Sequence, residues 1–169
     1  MQFEILYQEL SHSAEMIRAL TAGLTPAEAR FKPGPESWSI LEVVCHLYDI
    51  EREDFRPRLD AILHRPAEGW TSFDPQSWVT TRQYNERDLA ETLDSFLAER
   101  TQSLTWLKNL PAPNWETEHV DEFGSMKAGE MFASWVAHDN LHIRQLVELR
   151  RGRIVSLAEP FDVGYAGEW

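Results

Sequence analysis

Apolar residues return at alternating spacings of three and four along four long stretches of this chain, and that recurrence limits its fold more than any other feature. Phe3, Leu6, Leu10, Ala14, Ile17 and Leu24 trace the first seam. Ile40, Val43, Leu47, Ile50, Leu59 and Ile62 trace the second, and Leu89, Leu93, Phe96, Leu104 and Leu107 the third. Met131, Phe132, Trp135, Leu146 and Leu149 trace the fourth. A helix that buries one stripe needs partners with matching stripes. Four such helices predict an all-α, four-helix bundle over residues 1–152, with residues 153–169 as a C-terminal tail that either packs on the bundle or pairs with another subunit.

Local signals place the ends. Thr25-Pro26-Ala27-Glu28 and Ser39-Ile40-Leu41-Glu42 have capping-box spacing, so a short turn runs through Arg30 and helix two starts after Ser39. Trp38 can staple against Val43, and a bend is expected near Pro57, which cannot donate to Glu53. Asn85 is the expected cap of a third helix over Glu86–Asn109, and Ser125 of a fourth that stops at Gly152. Residues 65–84 carry Trp70, Phe73 and Trp78 without helical period. A connection that long suits a crossover, which makes helices two and three parallel and the order up-down-down-up. Its aromatics either seal the crossover or line a pocket. Residues 111–124 form a second long connection containing His119.

The third pattern bears on chemistry. His138 and His142 lie four apart on the fourth seam, so their rings can aim at one point. His46 follows Val43 by three and precedes Ile50 by four, so it also faces the core. Three imidazoles on neighbouring helices can hold one divalent ion and leave a position open, the catalytic arrangement for zinc; nickel, copper and iron accept the same ligands. The spacing is equally compatible with core histidines bonded to backbone or carboxylates. Asp49, Asp139 and Gln145 stand where they can orient the rings. Cys45 points about 100° away from His46 and suits a small core residue better than a fourth ligand. Arg100 falls within the third seam. It requires an anion there, such as Asp139, Glu53 or a substrate, unless its head reaches solvent. His119 either reaches the open end of the bundle or sits on a surface loop. Arg100 and His119 are the two candidates for binding a cofactor.

Composition excludes some classes. A formal net charge of −12, with no basic block beyond Arg150-Arg151, disfavours nucleic acid as a partner. No apolar run approaches the ~20 residues of a membrane span, and the first residues are amphipathic and unlike a leader. With Cys45 as the single cysteine, a cytoplasmic protein is expected.

Residues 38–49, from Trp38 through His46 to Asp49, and residues 138–146, His138-Asp139-Asn140-Leu141-His142-Ile143-Arg144-Gln145-Leu146, resemble the two signature segments of the DinB/YfiT-like superfamily. The likeness extends through Lys32 to Pro35, the tyrosine and acidic start of helix three, Arg100 and the Phe123-Gly124 turn. It implies a four-helix-bundle metalloenzyme with a divalent metal, zinc or nickel, on His46, His138 and His142. It also implies a homodimer and a small-molecule substrate. Some members of the superfamily use low-molecular-weight thiols such as bacillithiol, mycothiol or glutathione. On resemblance alone, a thiol-dependent S-transferase is preferred to a metal-dependent hydrolase. A non-catalytic bundle that binds a metal or small ligand is the alternative.

Overall fold

The computed structural model describes residues 1–70, 74–122 and 124–167. Four long helical segments form its body. They are α1 (Phe3–Thr21), α3 (Ile40–Ile50) continued by α4 (Arg56–His64), α6 (Leu89–Lys108) and α7 (Ala128–Ala158). Two short helices, α2 (Pro26–Arg30) and α5 (Pro75–Thr81), lie in the connections. Strands β1 (Glu118–Asp121) and β2 (Gly124–Lys127) form an antiparallel ribbon with His119 opposite Met126. α1 packs mainly on α7, and α3 mainly on α6.

Both predicted capping boxes form. The Glu28 amide donates to the Thr25 hydroxyl while Glu28 accepts from the Thr25 N–H, and Ser39 and Glu42 repeat the exchange at 3.1 and 2.8 Å. These bonds satisfy N–H groups that a helix start leaves without partners. Near Pro57 the helix widens: residues Glu51–Phe55 form one π-helical turn between α3 and α4. Pro57 has no N–H for the Glu53 carbonyl, and a wide turn accommodates such an interruption.

Several expectations are corrected. α6 begins at Leu89 under an Asp88 cap, and Asn85 instead accepts from the Ser39 hydroxyl at 2.6 Å. The 65–84 connection contains α5, capped by Asp74 with Pro75 in the first turn. The 111–124 connection leads into the β-ribbon, so the architecture is mostly helical rather than purely so. α7 starts after Lys127, whose N–H donates to Glu130 at 2.8 Å, and it passes through Gly152 to Ala158. Arg150 bonding the Leu20 carbonyl at 2.8 Å, and Arg153 bonding Glu28, tie that extension to the α1–α2 end. These anchors outweigh the cost of a glycine in a helix interior.

The core has two large apolar zones and a smaller cluster of Ala29, Leu41, Cys45 and Tyr84. One gathers Leu10, Phe55, Leu59, Ile62, Leu107, Phe132 and Trp135; the other gathers Ala14, Ile17, Val43, Leu47, Phe96 and Leu146. A polar residue separates the two large zones along three of the main helices, Ser13 on α1, Arg100 on α6 and Asp139 on α7, and Glu51 joins these from the turn after α3. Arg100, Glu51 and Asp139 are only 2%, 1% and 1% exposed. Arg100 grips both Glu51 oxygens at 2.8 and 2.9 Å and both Asp139 oxygens at 2.6 and 3.1 Å. It also donates to the Leu10 carbonyl at 2.7 Å, and the Trp135 indole donates to Glu51 at 3.0 Å. Fork-to-carboxylate bonding of this kind makes a buried arginine tolerable.

Candidate metal centre

His46 comes from the middle of α3, and His138 and His142 come from consecutive turns of α7. Their Nε2 atoms meet. His138 Nε2 lies 3.3 Å from His46 Nε2 and 3.1 Å from His142 Nε2, and one ligand atom from each ring falls within 4.8 Å of the others. His46 and His142 are 5% and 7% exposed, and His138 is half-buried. Aromatic rings wall the group. Trp38 lies parallel to His142 at 6.1 Å between centroids and edge-on to His46 at 5.0 Å, while Phe55 faces His138 at 5.0 Å.

Burial, reinforced by His142 and His138, pushes the His46 imidazolium down to about 2. Burial and then His142 take His138 down to about 4, against the pull of Asp139. Burial also lowers His142, opposed by its bond to Gln145 and by Asp139. All three rings are therefore neutral at pH 7 and carry a lone pair. The Gln145 Oε1 atom sits 2.8 Å from His142 Nδ1, which puts the proton there and leaves the Nε2 lone pair aimed at the other rings.

Lone pairs of neutral rings facing one another repel, and one shared proton cannot satisfy three nitrogens. A cation among them can. Around a tetrahedral ion with bonds of ~2.0–2.1 Å the nitrogens are about 3.3 Å apart, close to the separations seen here. The donor set and its spacing thus fit a divalent metal.

The other residues singled out by the sequence have different partners. Asp49 does not orient His46; it accepts from the Tyr84 hydroxyl at 2.8 Å and from Arg82 at 2.7 Å. Asp139 turns from His138 to Arg100 and Ser13. Arg100 takes Asp139 as one partner, as expected, but Glu51 in place of Glu53, which pairs with Arg82 and Arg52. His119 is buried, not on an exposed loop: it stacks on Trp70 at 4.2 Å and bonds the Pro66 carbonyl at 2.9 Å, apart from the three-histidine group. Cys45 is buried, with its thiol pushed up to about 11, mainly by burial. Trp70 and Trp78 pack against the core and so help to seal the crossover, while Phe73 and Phe123 lie outside the described residues.

Sequence reasoning missed three things. Glu51 stands four residues beyond Leu47, on the second seam, and that position could have revealed it. Ser13 similarly follows Leu10 by three. The third is a cavity of about 580 Å³ that opens against His142 and Gln145, with Trp38 in its wall. It forms where the Pro33–Trp38 segment, α5 and α7 meet, and no local pattern announces it.

A helical bundle with a buried cluster of three neutral histidines from two helices describes a protein class able to hold a divalent metal. Residues 9–146 match the DinB superfamily, and the chain belongs to that family. Its fold is similar to that of YfiT from Bacillus subtilis, a protein described as a probable metal-dependent hydrolase with an unusual four-helix-bundle topology. The TM-score is 0.78 and the identity 18%, over 89% of this chain and 86% of that one. No curated protein matches the sequence.

Proposed function

We propose that this chain is a metal-dependent enzyme acting on a small molecule, with His46, His138 and His142 holding one divalent ion, zinc or nickel. The observation that carries the reading is the approach of three Nε2 atoms, from three neutral imidazoles, to 3.1 and 3.3 Å along two of their separations. A divalent ion supplies Lewis acidity, polarising a carbonyl and lowering the pKa of a water or thiol presented to it. The chain's own residues bind and orient. α3 and α7 hold the rings rigidly, Gln145 fixes the His142 tautomer, and Trp38 and Phe55 exclude water from two sides. Sites with three protein ligands are the catalytic type, and the cavity beside His142 gives a substrate access.

Hydrolysis is the first reading, supported by the likeness to YfiT. A thiol-dependent S-transfer is the second, since a divalent ion held by the three histidines would lower the pKa of a coordinating thiol enough for it to lose its proton to water near neutral pH. The up-down-down-up order belongs to the same proposal. It is supported by contacts whose numbers rise together: Ser39 with Asn85, Glu51 with Arg100 and Arg56 with Ser103, and likewise Ser13 with Asp139 and Leu20 with Arg150. A homodimer is proposed on the exposure of Ile154, Leu157, Phe161 and Tyr165 beyond the bundle. No nucleic-acid partner is proposed, given the net charge of −12. No helix among the described residues is long and apolar enough to cross a membrane, and the free, buried Cys45 supports a cytoplasmic location.

The test is metal analysis of protein prepared without a histidine tag, followed by turnover of nitrophenyl esters, or of monochlorobimane with thiols, before and after chelation. We expect one ion per chain, lost in His46→Ala and His142→Ala, and a rate that disappears with it. Failure to bind a stoichiometric ion refutes the proposal. A bound ion with no dependent turnover leaves a non-catalytic metal-binding bundle.

A further inference from the structure

We propose that the cavity beside His142 selects cationic substrates: molecules with an ammonium group set several bonds from the reacting carbonyl, joined through a flat apolar portion. This rests on the proposed function only in treating that cavity as the substrate's. Its wall and mouth carry two carboxylates, Glu36 and Glu148, and two amides, Gln76 and Gln145, but no lysine or arginine among the described residues. Nearby cations are already committed. Lys32 holds Glu42 at 2.6 Å, Arg82 holds Asp49 and Glu53, and Arg153 holds Glu28. Arg144 approaches Glu148 at 3.3 Å, but the arginine side chain is 71% exposed and the glutamate 45%, and a pair so open to water is weak and exchangeable.

The apolar part of the site suits the same ligand. Trp38 contributes aromatic surface to the wall, and Pro33 and Leu149 add apolar surface. The positions also set a length. Glu148 lies six residues beyond His142 on α7, about 9 Å along the helix. An ammonium group held there is far enough from the histidines to avoid a divalent ion, while a neutral carbonyl on the same molecule reaches them. The negative field of a chain with net charge −12 raises the local concentration of cations and opposes anions such as carboxylate-bearing thiols.

The experiment compares three probes of similar size on chelator-treated full-length protein: phenethylammonium, 3-phenylpropanamide and 3-phenylpropionate. Removing metal first prevents the carboxylate from binding merely as a ligand to the ion. By titration calorimetry or ligand-observed NMR, the cation should bind about tenfold tighter than the anion, the neutral amide falling between them. Raising the salt should shrink the difference, and Glu36→Gln with Glu148→Gln should shrink it severalfold while the amide binds as before. Equal or tighter binding of 3-phenylpropionate overturns the inference, as does a cation preference unchanged in the double variant. Metal content is measured on the same preparations. Loss of the metal reading with cation preference intact, and metal binding without that preference, are thus separate results.

Discussion

Arg100→Met gives the sharpest test of how the interior is held. Glu51 and Asp139 carry two negative charges and Arg100 one positive, so the buried set has a net charge of −1 in the native protein and −2 in the variant. Four bonds from the guanidinium to carboxylate oxygens, at 2.6 to 3.1 Å, vanish together. Removing one member of a buried ion pair costs about 3–5 kcal/mol, chiefly because the partner is left charged and unsolvated. Trp135 still donates to Glu51, and Ser13 still donates to Asp139, so the lower half of that range is expected. For a domain of this size that lowers Tm by roughly 6–16 °C. Asp139→Asn should cost less, about 1–2 kcal/mol, because Arg100 keeps both Glu51 oxygens and one buried charge disappears. Urea titration of chelated protein at pH 7 reads both variants without a contribution from bound ion. If Arg100→Met loses under 1 kcal/mol, or Asp139→Asn proves the more damaging, charge pairing does not hold the waist and the reasoning fails.

Three further outcomes are expected. Gly152→Ala should stabilise the protein by up to ~1 kcal/mol, since residue 152 lies inside α7 and an added Cβ meets nothing within 4 Å; destabilisation would mean the helix ends there in a left-handed turn. Cys45 should resist iodoacetamide at pH 8 in native protein and react promptly in urea, because a thiol raised to about 11 becomes thiolate only well above that pH; rapid native labelling would contradict its burial. Gln145→Leu should weaken metal binding about 10–100-fold without changing the number of ions bound, as read by competition with a chromophoric chelator. Unchanged affinity would show that the His142 tautomer needs no such partner.

Much of this architecture was legible in the chain because its signals are local. The seams identify four buried helical faces, and each capping box specifies its own bonds within four residues. The histidine convergence could be anticipated, since spacing sets which way a helical side chain points. What escaped depends on distant contacts. Gly152 reads as a stop until Arg150 and Arg153 are seen anchored to α1 and α2. Asp74-Pro75 uses the same cap-and-proline signal as Thr25-Pro26, but the aromatic residues around it masked a helix of 7 residues. The ribbon strands of 4 residues each carry too short a pattern to stand out. Asp49, placed one turn from His46, was drawn instead to Tyr84 and Arg82, and nothing within its own helix foretells that choice.

The layer of Ser13, Glu51, Arg100 and Asp139 has a consequence for assembly order. Helices joined only by leucine stripes can slide by one turn and re-form nearly equivalent contacts, leaving a chain with several near-degenerate alignments. Here a slip of α6 by one turn, about 5.4 Å, would pull the guanidinium away from both carboxylates at once. The alignment that brings Asp139 to Arg100 also fixes the height of α7, and with it the level at which His138 and His142 face His46.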